Sequence, residues 1–168
     1  MEILTGIIIL LYACYTAFVI HLFGIPISYS ITYYLLGGKK GDGWIFQVVM
    51  GTVAFLALIS GLDTGGEWNF LAFIPAAALL FVSADPDFDY NEETEKKPLE
   101  NKVHMIASYI AVIGATLSFW LKFDMPLIAI GFSLFAVVIW FINPKVKIFL
   151  IEHVCFDIYL ILLLISHL

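Results

Sequence analysis

The stretch Ile148-Phe-Leu-Ile-Glu-His-Val-Cys-Phe-Asp-Ile-Tyr-Leu-Ile-Leu-Leu-Leu-Ile-Ser-His167 decides how the chain is read. It is long and apolar enough to cross a hydrocarbon core of about 30 Å as helix. It lacks the in/out alternation that the wall of a transmembrane barrel needs. Yet His153 and Asp157 lie inside it, one helical turn apart. An ionised Asp at mid-bilayer depth costs on the order of 2.5–3.5 kcal/mol even on lenient insertion scales, so such a residue is ordinarily paired inside a bundle or kept for function. Lys can snorkel from that depth; the short Asp side chain cannot.

Further runs of the same kind cover about Leu4–Phe23, Trp44–Ser60, Trp68–Ser83, Val103–Leu121 and Met125–Ile142. The expected fold is therefore all-α, a polytopic transmembrane bundle of six helices forming a single domain over residues 1–168. Composition agrees. Of 168 residues, 62% are hydrophobic and 13% charged, about half the charged share of an ordinary soluble domain, roughly 25%. Trp44, Trp68, Trp120 and Trp140 fall at or near the ends of the runs, where the indole ring prefers the interface. Only Met1 and Glu2 precede the first run, so it lacks a positive n-region and reads as a retained helix and not a signal peptide. Between the first and second runs, residues 24–38 are apolar but broken by Pro26 and rich in hydroxyls. That composition suits a re-entrant or interfacial segment sheltered by its neighbours.

Lysine sets the expected orientation. Lys39, Lys40, Lys96, Lys97, Lys102, Lys145 and Lys147 follow the first, third and fifth runs, against Lys122 alone on the other side. The positive-inside rule puts the Lys-rich loops in the cytoplasm and both termini outside a cell or inner membrane. The net charge of −6 comes largely from two short acidic loops, and all eight cationic residues are Lys. With no basic patch, nucleic acid is not an expected partner; membrane lipids are. Cys14 and Cys155 fall in apolar runs and read as small packing residues.

With this topology His21, His104 and His153 fall at similar depth near the cytoplasmic ends of three different helices, with Asp85 and Asp87 just past the end of the third. Ser108 follows His104 by four residues, as Asp157 follows His153, and residues at i and i+4 share a helix face. His and Asp are the ligand types of catalytic zinc, which takes three protein ligands and keeps a position open for water, lowering that water's pKa to about 7. The expected site has His21, His104, His153 and Asp85 as metal ligands and Asp157, Ser108 and Asp87 as catalytic groups. Ser28, Ser30, Tyr33 and Tyr34 would line the substrate mouth. A lipid ester or amide would be the natural substrate of such a metal-dependent intramembrane hydrolase.

His104 with Ser108, and His153 on the last helix, resemble the site of the alkaline ceramidase and progestin/adipoQ receptor superfamily. That resemblance implies zinc held by three His with Ser and Asp nearby. The superfamily has seven spans and a His-x-x-x-His pair, whereas this chain has six runs and His153-x-x-x-Asp157. Gly24–Tyr34 and Ser83–Phe88 also look similar to small uncharacterised bacterial or phage membrane proteins, a likeness that brings no activity with it.

Two other functions compete. In a small transporter or channel subunit, Asp157, His153 and Gln47 would line an ion path; six spans make a thin conduit, so this reading calls for a homo-oligomer. In a non-catalytic membrane scaffold, the acids and histidines would be spread around the bundle perimeter. Asp85 to Lys96 begins like a calcium loop, but Tyr90 stands where Gly is required and Lys96 where Glu is. Gly37–Gly43 is glycine-rich without the Gly-Lys-Ser/Thr ending of a P-loop. Gly51 and Gly114 lie inside runs and are expected to permit close helix contact.

Overall fold

The computed structural model describes residues 1–37, 41–84, 98–142 and 147–168, with 98–102 described in backbone only. The described residues are helical, with no strand. The helices are α1 (Glu2–Phe23), a short α2 (Ile31–Leu35), α3 (Trp44–Asp63), α4 (Phe73–Ala84), α5 (Pro98–Leu117), α6 (Pro126–Ile142) and α7 (Lys147–Ile165). Each of the six apolar runs is thus largely helix.

Four segments are long and apolar enough to cross a membrane: Glu2–Phe23, Trp44–Asp63, Val103–Lys122 and Lys147–Ile165. Asn69–Ala84 and Pro126–Ile142 are shorter. The first of these begins as a 3-10 turn over Asn69–Ala72 before α4 takes over. Pro75 falls in the first turn of α4, the part of a helix that tolerates a missing N–H. Large apolar side chains cover the outside, Leu127, Leu134 and Phe141 on α6 among them. Such a surface is compatible with an integral membrane protein.

Neighbours in sequence are neighbours in space from α1 through α3 and α4 to α5, and α7 closes the bundle against α1, α3 and α5. At Gly114 of α5 an added Cβ would come within 2.8 Å of Ile74 Cγ2 and 3.2 Å of Pro75 Cδ, so glycine is what lets α4 approach. Gly61 lies near the end of α3, where a Cβ would meet that of Ala72 at 2.7 Å. Gly51 has looser surroundings, with Ser83 Oγ at 3.4 Å. Beyond α5 the helix loosens into a π turn, Ser118–Lys122, in which Phe123 N–H donates to Ser118 O at 2.9 Å. Asp124, at φ 53°, then reverses the chain into α6.

Two polar knots pin the bundle end that carries the C-terminus of α3. The Thr5 and Ser60 hydroxyls lie 2.7 Å apart, with His167 Nε2 at 2.9 Å from Ser60. Lys122 Nζ donates to Thr64 Oγ1 at 2.6 Å and to Asn69 Oδ1 at 2.7 Å. At the other end, residues 24–35 fold onto the bundle and bury Tyr29, Ile31, Thr32 and Tyr33. The shelter expected for this hydroxyl-rich segment comes from α7 through Phe149 N–H, which donates to Ile27 O at 2.9 Å. α1 adds the Tyr15–Thr32 hydroxyl contact.

Candidate functional site

Successive side chains on a helix point about 100° apart, as 3.6 residues per turn requires. Glu152 and His153 are therefore delivered by α7 to different faces, and two openings result. One is a recess of about 370 Å³ between α5, α6 and α7. Its lining includes Ser28, Ser30, His104, Ser108 and Glu152, with Tyr109 and Trp140, and its apolar walls include Val112, Ala136, Val137 and Phe141. The other is a groove of about 620 Å³ between α1 and α7, lined by Tyr12, Thr16, His21, His153 and Asp157 together with apolar side chains.

In the recess, Glu152 Oε2 accepts the backbone N–H of Tyr29 at 3.0 Å, which ties the 24–30 segment to α7. The Ser28 and Ser30 hydroxyls lie 3.1 Å apart beside it. His104 is buried, and the four-residue spacing does bring Ser108 to the same opening. Glu152, Ser30, Ser108 and Val112 also border a narrow interior cavity of about 50 Å³ that reaches Tyr159. The Tyr159 hydroxyl is buried there without a hydrogen-bond partner among the described residues.

The groove is backed by a hydrogen-bonded cluster. Tyr12 donates to the Tyr29 hydroxyl at 2.7 Å, and the Thr16 hydroxyl lies 2.8 Å from the same oxygen. His153 Nδ1 is 2.8 Å from the Tyr12 hydroxyl and 2.9 Å from that of Tyr29. One arrangement satisfies all four groups: Tyr12 and Thr16 donate to Tyr29, and Tyr29 donates to Nδ1. The imidazole proton then sits on Nε2, facing Asp157 Oδ2 at 3.5 Å. Phe149 stacks on the ring at 5.7 Å between centroids and fixes its plane. His153 is thus engaged on both nitrogens and orients Asp157.

The expected site residues divide accordingly. His104, Ser108, Ser28 and Ser30 come together in the recess. His21, His153 and Asp157 come together in the groove. Tyr33 and Tyr34 pack edge to face, 5.2 Å between centroids, and line neither opening. Asp85 and Asp87 lie outside the described residues. Among the described residues, no group of three or more His, Cys, Asp or Glu is placed to hold one metal ion. Gln47 is half-buried and reaches toward Ala84 O at 3.4 Å, outside the groove that holds His153 and Asp157.

Three residues that matter here escaped the sequence reading. Glu152 sits beside His153 in the same run, and a carboxylate five residues into a span was signal enough. Tyr12 and Tyr29 carried no such signal, because a Tyr inside an apolar stretch reads as packing. No protein-family model, curated protein or solved structure matches the chain.

Proposed function

We propose that this chain is an integral membrane protein that admits a lipid-like amphiphile between α5, α6 and α7 and holds its polar head against Glu152. The observation that carries this reading is the lining of the recess. Apolar side chains of three helices surround it, and its lining includes one carboxylate, Glu152, together with His104, Ser28, Ser30 and Ser108. Its volume of about 370 Å³ falls within the usual range of small-molecule sites, roughly 300–1,000 Å³. A carboxylate accepts hydrogen bonds and attracts positive charge, so the head it suits carries ammonium or hydroxyl groups. The tail would lie along Val112, Ala136, Val137 and Phe141. The opening faces between helices, so such a ligand would reach it from the bilayer and not through water.

Native mass spectrometry of the protein released from lipid nanodiscs tests this. Wild-type chain is expected to retain an intact lipid or lysolipid. Glu152→Leu should lower its occupancy at least tenfold through the head, and Ala136→Trp should do so through the tail. Wild-type protein that leaves the nanodisc without lipid, or variants that retain it equally, would overturn the reading. Fragments of lipid in place of intact lipid would extend it to hydrolysis and would direct attention to His104 and Ser108.

A further inference from the structure

The narrow interior cavity beside the recess is shaped by small side chains: Ala57 of α3, Ala76 of α4, and Ala111 and Ala115 of α5 all border it. From α7 it is lined by Glu152, Cys155, Phe156 and Tyr159, the i, i+3, i+4 and i+7 positions of one helix face. Glu152 and Tyr159 thus share a stripe, about 10 Å apart along the axis at 1.5 Å per residue.

Tyr159 is the odd member of that stripe. It is only 5% exposed, and its hydroxyl has no hydrogen-bond partner among the described residues. A buried donor left without an acceptor is a standing cost to a fold. The ring has little room to turn elsewhere. Phe123 packs edge-on against it at 5.8 Å between centroids, and a Cβ on Gly61 of α3 would lie 3.1 Å from the hydroxyl oxygen. The hydroxyl is therefore held at the cavity wall.

The remaining walls say what would accept its proton. A buried water needs two to four polar partners. Ser30, Ser108 and Glu152 also line the recess and so mark the border between the two spaces. The Tyr29 hydroxyl is taken up by Tyr12, Thr16 and His153. A water beside Tyr159 would find little except that hydroxyl and the Cys155 sulfur, a weak partner. An oxygen carried in on an apolar chain meets both conditions, because the chain suits the alanines and the oxygen accepts from Tyr159. Val112 lines both spaces as well, so a tail lying along it in the recess is led to the border.

We propose that the interior cavity is a second arm of the recess: it receives the end of an apolar chain whose head is held at Glu152, and an oxygen near that end, carbonyl or hydroxyl, accepts the hydrogen bond of Tyr159. This rests on the amphiphile reading of the recess and narrows its ligand to an amphiphile with an oxygenated chain.

Titration of delipidated protein in detergent, read by native mass spectrometry, tests it with two probes. One is octylamine; the other is the same chain with a carbonyl next to its terminal methyl. Wild-type protein should bind the keto-amine about three- to tenfold more tightly than octylamine, the value of one net hydrogen bond. Tyr159→Phe should abolish that preference while binding octylamine as wild type does, a comparison in which differences in detergent partitioning cancel. Ala115→Leu, which fills the cavity without touching the recess, should also abolish it. Glu152→Leu should weaken both probes alike. Without ligand, Tyr159→Phe should unfold at the same temperature as wild type or higher, because the hydroxyl it removes is unpaired. A lower unfolding temperature would give Tyr159 a structural partner and overturn the proposal. Wild-type protein that binds both probes equally, with Glu152→Leu weakening both, would overturn the second arm and leave the recess reading standing. Failure of wild type to bind either probe would sink both.

Discussion

Glu152 and His153 are adjacent in sequence, yet α7 turns them toward openings of opposite design. The Glu152 side is a pocket: three helices wall it, and its lining includes one carboxylate, three serines with Ser108 among them, and a buried His104. The His153 side is a seat: two helices form a long open groove, and its imidazole is already committed at both nitrogens. A pocket with an acceptor inside it suits a small ligand, whereas the groove is long and open, and its acid faces His153 at 3.5 Å. One residue of helical rotation thus separates the recess at Glu152 from the groove at His153 and Asp157.

The sharpest way to break this contrast is to exchange the damage. Glu152→Leu is expected to remove at least nine-tenths of the bound amphiphile. His153→Leu with Asp157→Leu should leave at least half of it bound. Native mass spectrometry of the two variants side by side reads the difference. If both abolished retention, the faces would be one site, and the division drawn from α7 would fail.

The next effect concerns stability. Tyr29 joins the two sides, since its backbone N–H binds Glu152 and its hydroxyl meets Tyr12, Thr16 and His153. Tyr29→Phe removes the hub of the cluster and leaves His153 Nδ1 to Tyr12 alone. Interhelical hydrogen bonds in membranes average about 0.6 kcal/mol and reach about 1.7. The loss of two or three together should therefore cost about 1–2 kcal/mol of stability in a bilayer, read by steric-trap unfolding. Tyr12→Phe should cost less, because Tyr29 still reaches His153 and Thr16.

How much of this was legible in the sequence follows from which contacts are local. His104 with Ser108 and His153 with Asp157 could be paired on spacing alone, because four residues on one helix always share a face. Which way each face turns is a tertiary matter, and here the sequence reading brought three histidines toward one centre where the structure divides them between two openings. The apolar runs marked the helices, but not that the third would begin as a 3-10 turn at Asn69 and leave α4 short. Ser28 and Ser30 were expected at a mouth and line the recess, while Tyr33, only three residues beyond Ser30, turns into the core instead. A short helix beginning at Ile31 separates those fates, and no pattern in five residues foretells which side it will bury.

The smallest expected effect is at Ser28. Among the described residues its hydroxyl has only long contacts, 3.1 Å to Ser30 and 3.4 Å from the Ile31 N–H, and hydrogen bonds near the upper limit of length are weak. Ser28→Ala should therefore change stability by no more than about 0.5 kcal/mol, the scale of an ordinary substitution outside a tight network. The same hydroxyl faces the recess beside Glu152. If a ligand head sits there, Ser28→Ala should lower amphiphile retention two- to threefold with folding unchanged, a split that lipid titration and unfolding on one preparation would read directly. Loss of stability without loss of retention would make Ser28 part of the scaffold for the 24–30 segment, and would leave the head to Glu152, His104 and Ser108 on α5 and α7.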